Sequence, residues 1–185
     1  MTRRRHLFDS PDHFLAGTVG GPGNRTFFLQ AREGPRIVSV ALEKVQVAAV
    51  CQRLTELMDE LAQRGVEGTD ELDDMPAAHA LDEPINEAFR VGTLSLGWDT
   101  GEDLVLIEAR ELVEDDEDEG EAFEDDDDED GPDVLRVRLT ALVAREFVAR
   151  ALRVISAGRP PCPLCGQPLD PQGHLCPRRN GHRLN

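Results

Sequence analysis

The sequence predicts an α+β fold in which three strands followed by a helix occur twice in succession, ahead of a short C-terminal tail. Three observations support this. Apolar residues alternate in several short runs, recur every three or four residues in two longer runs, and give way at the end to a segment rich in Pro, Gly and Cys. We therefore expect a duplicated domain over residues 1–157, with units at about 6–65 and 87–157, and a separate tail over residues 158–185.

The first unit is predicted to contain three strands and one long helix. The strands are His13–Val19, Arg25–Ala31 and Arg36–Leu42, separated by turns at 20–24 and 33–35. The turn at 20–24 joins two strands, so it favours a hairpin over a phosphate-binding loop, which would lead into a helix. The helix is predicted to stop near Gly65. Its predicted apolar face consists of Leu42, Val45, Ala49, Val50, Leu54, Leu57, Met58 and Leu61.

The second unit repeats this order of elements after a polar connecting loop over residues 66–86. Its predicted strands are Ala88–Trp98, Asp103–Leu112 and Val134–Leu139. A helix is predicted from Ala141 to about residue 157, with Thr140 as its N-cap. The predicted apolar face of this helix consists of Leu142, Val143, Phe147, Val148, Ala151, Leu152 and Ile155.

Short matching motifs suggest that the two units are copies of one another. Phe14–Thr18 matches Phe89–Thr93, and Gln30–Arg32 matches Glu108–Arg110 at the same place in the second strand. The alternative is that these motifs recur by chance. Because one unit alone would bury little surface, we expect the two to join in one antiparallel sheet with both helices on a single face.

The negative charge of the chain is concentrated in one loop. Residues 114–130 contain 14 acidic residues and no basic ones, and removing them from the formal net charge of −17 leaves −3. Such a run is typical of a solvated insertion, here between the second and third strands of the second unit. A contact with a basic partner protein, or mimicry of nucleic-acid charge, is the functional alternative.

The tail contains a pattern of metal ligands. Cys162 and Cys165 are two residues apart and precede a glycine, and Cys176 supplies a third thiolate. A structural zinc site needs four ligands, and either His174 or His182 has a suitable spacing from Cys176. A redox pair is the alternative, but such a motif opens a helix, which this Pro- and Gly-rich tail cannot form. The sequence therefore predicts a structural zinc ion.

The sequence also predicts where the protein is located and which other residues are candidate functional residues. Neither an N-terminal apolar run nor a stretch long enough to span a membrane occurs, which predicts a reducing, cytoplasmic location. In such a location clustered cysteines bind metal more often than they form disulfides. Cys51 is interpreted as a buried structural cysteine. A metal site at His6, Asp9, Asp12 and His13 is less favoured than a turn entering the first strand.

The chain resembles the actinobacterial domain of unknown function 3090 family over nearly its whole length. The residues that carry the resemblance are Leu42–Val45, Phe89–Thr93, Trp98-Asp99, Cys162–Gly166, Gly173–Arg178 and Asn180-Gly181. In that family an aromatic residue commonly stands where this chain has His182, so the resemblance favours His174 as the fourth ligand. It also implies neighbouring genes for a histidine-phosphatase-like protein and a kinase-fold protein, and it implies no particular activity.

The sequence contains no catalytic motif for a phosphate-binding loop, a metalloprotease or a serine hydrolase. It therefore favours a non-catalytic accessory or protein-interaction protein. The first alternative is a divergent enzyme with a cleft between the two units, related to phosphate chemistry. The second is a nucleic-acid-associated zinc-ribbon factor. The acidic run disfavours this second alternative by repelling phosphates, although the tail has a small basic patch.

Overall fold

A computed structural model describes residues 3–21, 23–70, 72–113, 123, 131–157 and 163–164. These residues form seven strands and two helices. The elements are β1 (Arg5–Phe8), β2 (His13–Val19), β3 (Thr26–Glu33), β4 (Arg36–Leu42), α1 (Lys44–Gln63), β5 (Glu87–Asp99), β6 (Leu104–Glu111), β7 (Val134–Leu139) and α2 (Ala141–Ser156). The bounds predicted for β2, β4 and β7 are confirmed. The strand β1 was not predicted.

All seven strands belong to one sheet, whose order is β1-β7-β6-β5-β4-β3-β2. The sheet is mixed, so the prediction of a purely antiparallel sheet is wrong. Two joints are parallel: β4 pairs with β5, and β1 pairs with β7. The β4–β5 joint is parallel because α1 and the following segment return the chain to the end of the sheet from which β4 started. The turn at 20–24 is the predicted hairpin, with Val19 opposite Thr26.

The sheet must be strongly curled, because its two edge strands are neighbours in sequence. A flat sheet of this width would separate β1 from β2 by about 29 Å, at about 4.8 Å per strand spacing. The five residue steps from Phe8 to His13 can span at most about 18 Å. The curl also brings β1 to the β3–β4 hairpin, where Arg36 donates a hydrogen bond to the Leu7 carbonyl and places its guanidinium 4.0 Å from the centre of the Phe8 ring.

Both helices cover the same face of the sheet. Alternate residues of all seven strands join residues of both helices in a single hydrophobic cluster, and the helices contact each other. The buried residues of α1 are Val47, Val50, Cys51, Leu54, Met58 and Leu61. Those of α2 are Ala141, Ala144, Phe147, Val148 and Ala151. Within the part of the chain that the structure describes, no helix is long and apolar enough to cross a membrane.

Four residues assigned to the apolar helix faces are exposed instead. Val45 is 72% exposed, Leu142 and Leu152 are each 49% exposed, and Ala49 is exposed as well. A helix turns by about 100° per residue, which places Val45 about 160° around the helix from Val47. By the same reckoning Leu142 and Leu152 each lie about 140° from Phe147. The two helices were predicted correctly, but the predicted apolar faces include residues that are exposed in the structure.

The segment between α1 and β5, residues 64–86, is called the connector below. It first follows α2, where Arg145 donates to the Thr69 carbonyl at 2.8 Å and Arg150 donates to the Ala77 carbonyl at 3.1 Å. It then crosses the outer face of the sheet, which is the face opposite the helices. There the Gln30 side chain accepts a hydrogen bond from the Asp82 N–H at 2.7 Å and donates one to the Asp82 carbonyl at 3.0 Å. The predicted polar loop is thus tied to α2 and to the outer face of the sheet.

Candidate functional site

A cleft of about 510 Å³ lies where the two predicted units meet. One wall is the end of β2, from Ala16 to Val19, together with Gly20 of the following turn, and the opposite walls are the connector and the last turn of α2. The connector contributes Leu81 and Ile85, and α2 contributes Val154 and Ala157. The volume is within the usual range for small-ligand pockets. The cleft therefore combines residues from both units with the segment that links them.

The strand that forms one wall is an edge strand of the sheet. Among the described strands, β2 pairs only with β3, in register from His13↔Arg32 to Val19↔Thr26. Five consecutive residues of β2 and the following turn, from Ala16 to Gly20, line the cleft. Consecutive residues of a strand point to opposite faces, so a row of five means that the cleft runs along the backbone edge. The outward N–H and C=O groups of β2 are therefore part of its wall.

Leu81 of the connector packs directly over Gly17. A Cβ atom placed on Gly17 would lie 2.5 Å from Cγ of Leu81 and 2.8 Å from each of its Cδ atoms. Such a contact is closer than van der Waals packing allows, so any side chain at residue 17 would force the Leu81 side chain to move. The glycine thus permits the connector to form the outer wall of the cleft.

We expect Gly17→Ala to lower the free energy of unfolding by about 1–3 kcal/mol, because the added methyl group overpacks this contact. Denaturant titration of the variant measures the loss. The double variant Gly17→Ala/Leu81→Ala restores the space, so its loss should be smaller than the sum of the two single losses. Strictly additive losses would show that the two residues do not contact each other.

Arg25 is the cationic group of the cleft, and it fixes the end of α2. Its Nη1 donates a hydrogen bond of 2.8 Å to the carbonyl of Ala157, the C-cap residue of the helix. The last carbonyls of a helix lack partners within the helix and carry partial negative charge, so a guanidinium is a favourable cap. Within the described residues Arg25 forms no ion pair with a carboxylate, and its buried Nε has no hydrogen-bond partner. Its charge is therefore only partly compensated.

The rim of the cleft carries two further ionisable residues. His79 and Glu83 of the connector both line the cleft and are exposed. The His79 ring lies 5.1 Å from that of His13, measured between ring centres, at an angle of 39°. The cleft thus offers a guanidinium directly before β3, an imidazole and a carboxylate at the rim, and apolar side chains between them.

A second polar cluster lies on the outer face of the β6–β7 hairpin. Glu108 is only 1% exposed, and its two carboxylate oxygens accept hydrogen bonds of 2.8 Å from Nε of Arg110 and Nε of Arg136. Beside it, Nη2 of Arg138 pairs with Asp99 at 2.7 Å and with Glu102 at 2.8 Å. The N–H groups of Gly101 and Glu102 also donate to Asp99, and these bonds lower the pKa of its carboxyl group.

This cluster was not identified from the sequence, although a signal for it is present. Glu108 and Arg110 are alternate residues of β6, and Arg136 and Arg138 are alternate residues of β7. In paired strands such residues share one face, and Glu108 stands opposite Arg136. Four charged residues with a period of two therefore pointed to a charged face on this hairpin. A cavity of about 310 Å³ opens beside it, lined by Leu7, Asp9, Leu106, Arg136 and Arg138.

The predicted zinc ligands Cys162, Cys165, His174 and Cys176, and the alternative His182, lie outside the described residues. Between the first two cysteines, the structure describes Pro163 and Leu164, which form part of a turn. In the remaining described chain, no group of three or more His, Cys, Asp or Glu side chains is close enough to hold a metal ion.

Two other residues singled out in the sequence have clear structural roles. Asp12 accepts a hydrogen bond of 2.7 Å from the Gly34 N–H, which ties the turn before β2 to the β3–β4 hairpin. Cys51 is 1% exposed within the core, so the prediction that it is buried is confirmed. Burial raises the pKa of the Cys51 thiol to about 11, which keeps the reactive thiolate scarce at neutral pH.

Comparison with known proteins gives one match. The family model described as "Protein of unknown function (DUF3090)" matches residues 6–176. No curated protein and no solved structure matches the chain. From residue 6 of β1 onward, the family match spans the seven-stranded sheet, both helices and all four predicted zinc ligands, Cys162, Cys165, His174 and Cys176. The chain therefore belongs to the DUF3090 family.

Proposed function

We propose that this protein is a non-catalytic accessory or protein-interaction protein of the cytoplasm, in which a folded α+β platform presents an acidic loop to a basic partner protein. The observation that carries the proposal is the hairpin at the base of the acidic run. Strands β6 and β7 pair without interruption from Val105↔Leu139 to Arg110↔Val134. The described residues on either side of 114–130 thus pair directly with each other, which supports a role of these residues as an insertion available for binding.

The residues that flank the acidic run also hydrogen-bond to each other across the β6–β7 hairpin. The Glu111 N–H donates to the Asp133 carbonyl at 2.9 Å, and the Asp133 N–H donates to the Glu111 carboxylate at 3.1 Å. Of the residues within the run, the structure describes Phe123, whose ring packs against Gly97 of β5. The two hydrogen bonds at the base support a loop that can be exchanged while its base stays intact, whereas the Phe123 contact is one that the exchange would remove.

Replacing residues 114–130 with a Gly-Asn turn is expected to leave the fold intact and to abolish binding of the basic partner. Loop shortening changes closure entropy by only about 0.6 kcal/mol per halving of length, and loss of the Phe123 contact adds at most about 2 kcal/mol. Thermal unfolding and affinity capture from the native cell extract measure the two effects.

A matched control keeps the length of the run and replaces its Asp and Glu residues with Asn and Gln. This control should also lose the partner if charge is what the partner recognises. A loss of several kcal/mol in the shortened variant would show that the run is packed into the structure. Unchanged capture by both variants would end the proposal that the run binds a partner.

We also propose that the tail holds one structural zinc ion through Cys162, Cys165, His174 and Cys176, with His182 as the alternative fourth ligand. The support is the ligand spacing, together with a tail too short to form its own core without metal. Arg25 holds the end of α2, so this module would start from a fixed point on the platform.

Protein purified under reducing conditions is expected to contain about one zinc per chain, because four ligands of this kind bind zinc tightly at neutral pH. Metal analysis by mass spectrometry measures the ratio. Cys165→Ser should lose the metal, whereas Cys51→Ala, which removes the cysteine of α1, should keep it. Comparing His174→Ala with His182→Ala identifies the fourth ligand. Metal-free wild-type protein would refute the site.

The second candidate function is that of a divergent enzyme, for which the cleft between β2 and α2 is the supporting observation. Its position agrees with the expectation of a cleft between duplicated units, and the order of elements within 13–63 and within 87–156 is the same. Arg25 and His79 are suited to a phosphate-bearing substrate. Superposition of β2–β4 and α1 on β5–β7 and α2 tests the duplication, and turnover of phosphate esters tests the activity.

A further inference from the structure

We propose that the cleft along β2 binds an extended peptide segment of a partner protein, which adds a strand to the sheet and places a terminal carboxylate beside Arg25. This inference rests on the proposed function as an interaction protein and adds a second binding surface to it, remote in sequence from the acidic loop. It follows from three properties of the cleft: its backbone wall, its charge and its shape.

The backbone wall is the first property. Within the described sheet, β2 is an end strand and bonds only to β3, so alternate residues of β2 direct their N–H and C=O groups away from the sheet. The segment from Ala16 to Gly20 forms this wall. At about 3.4 Å per residue, it matches an added strand of about four residues. Adding a strand to an exposed edge is a common way to bind peptides, because the main chain supplies the hydrogen bonds.

Charge is the second property, and it sets the kind of peptide. Arg25 lines the cleft, is partly buried, and forms no ion pair within the described residues. It already donates one hydrogen bond to Ala157, which holds the guanidinium in place. A carboxylate is the natural partner of a guanidinium. Glu83 lies at the exposed rim and repels acidic groups there, so the carboxylate should bind at Arg25 and the rest of the peptide should be neutral or basic.

Shape is the third property. The cleft is bounded by the β2 edge on one side and by apolar side chains of the connector and α2 on the other, namely Leu81, Ile85 and Val154. Alternate side chains of an extended peptide would point toward these apolar groups and away from them. The row of five consecutive wall residues is longer than a small oxyanion requires. An extended peptide therefore uses more of the cleft than a free phosphate would.

The test uses the full-length protein and the fluorescently labelled peptide Thr-Val-Thr-Val with a free C-terminal carboxylate. We expect saturable binding by fluorescence anisotropy. The same peptide with a C-terminal amide should bind with an affinity lower by a factor of about ten or more. Arg25→Gln should remove the difference between the two peptides. Arg53→Gln, a change at an exposed arginine of α1 outside the cleft, should leave both affinities unchanged.

A second measurement identifies the binding mode. Added-strand binding should slow amide hydrogen exchange in the segment from Ala16 to Val19, because its outward N–H groups acquire partners. Absence of binding, equal affinities of acid and amide in the wild-type protein, or unchanged exchange in β2 would each overturn the inference. Displacement of the peptide by millimolar inorganic phosphate at physiological ionic strength would assign the site to a small oxyanion and also overturn it.

The chain's own tail is a competing occupant of the cleft, and the same measurements distinguish it from a partner peptide. If the tail occupied the cleft, exchange in β2 would already be slow without peptide and the peptide would not bind, which contradicts the proposal. If the peptide fails while capture of a partner still depends on the acidic run, the proposed function stands and only the cleft assignment fails. The two proposals are thus tested by different variants.

Discussion

Glu108→Ala is expected to lower the free energy of unfolding by roughly 3–5 kcal/mol, the range for breaking a buried ion pair from one side. The carboxylate is almost completely buried, and Arg110 and Arg136, which bind its two oxygens, have side chains only 15% and 16% exposed. Removing the carboxylate leaves two largely buried guanidinium groups without the acceptor that lies between them. Because the three side chains span β6 and β7, the loss should loosen the hairpin that carries the acidic loop.

Denaturant titration of the folded protein measures this effect. Two further variants serve as a conservative substitution and as a control. Glu108→Gln retains one oxygen acceptor but turns an N–H₂ donor toward the second arginine. Its free energy of unfolding should therefore lie between those of the wild type and Glu108→Ala. Glu60→Ala removes an exposed carboxylate of α1 and should change stability by no more than about 0.5 kcal/mol. Equal small effects for Glu108 and Glu60 would show that the buried cluster contributes no net stability.

Six of the seven described strands and both helices were predictable because each of them has a periodic apolar pattern. Alternation fixed β2, β4 and β7 to the residue, and Thr140 caps α2 as predicted, accepting a hydrogen bond of 3.4 Å from the Val143 N–H. The strand β1 was missed because it has four residues and its sequence, from Arg5 to Phe8, shows little apolar alternation. It becomes a strand through its parallel pairing with β7.

The parallel joints and the cleft were not predictable in the same way. Local pattern does not specify which strands become neighbours when a long connection separates them, as it does β4 and β5. The connector was described correctly as polar, but its role depends on distant partners: Gln30 binds Asp82, and Leu81 packs over Gly17. Arg25 appeared only as the first residue of a predicted strand, and its place in the cleft follows from the position of α2. These features are set by tertiary contacts, which a single sequence does not reveal.

The charged face of the hairpin is an intermediate case. Its residues alternate along β6 and β7 in a way that could be read, but charged strand residues are usually exposed, so the burial of Glu108 was not expected. Burial becomes possible because Arg136 stands directly opposite Glu108 in the register and Arg110 lies two residues along the same strand. The sequence shows these residues, while the register determines that they meet.

Phe147→Ala is expected to cost about 3–5 kcal/mol, the range for removing a buried aromatic side chain and leaving a cavity. Phe147 of α2 is fully buried and stacks on Phe14 of β2, with ring centres 4.7 Å apart and an angle of 26° between the rings. This contact joins the second predicted unit to the first. If the two units share one core, its loss should destabilise both of them together in a single transition.

Two probes can follow the units separately during urea unfolding. Trp98, the single tryptophan, reports on β5 in the second unit by its fluorescence. Alkylation of Cys51, located by mass spectrometry, reports on α1 in the first unit, because this thiol is buried in the folded protein. We expect the two transitions of Phe147→Ala to coincide and to shift together to lower urea. Leu152→Ala changes an exposed residue of the same helix and should lower the free energy of unfolding by less than about 1 kcal/mol. Separate transitions for Trp98 and Cys51 would mean that the units fold independently, and the cleft between β2 and α2 would then be a contact between two domains.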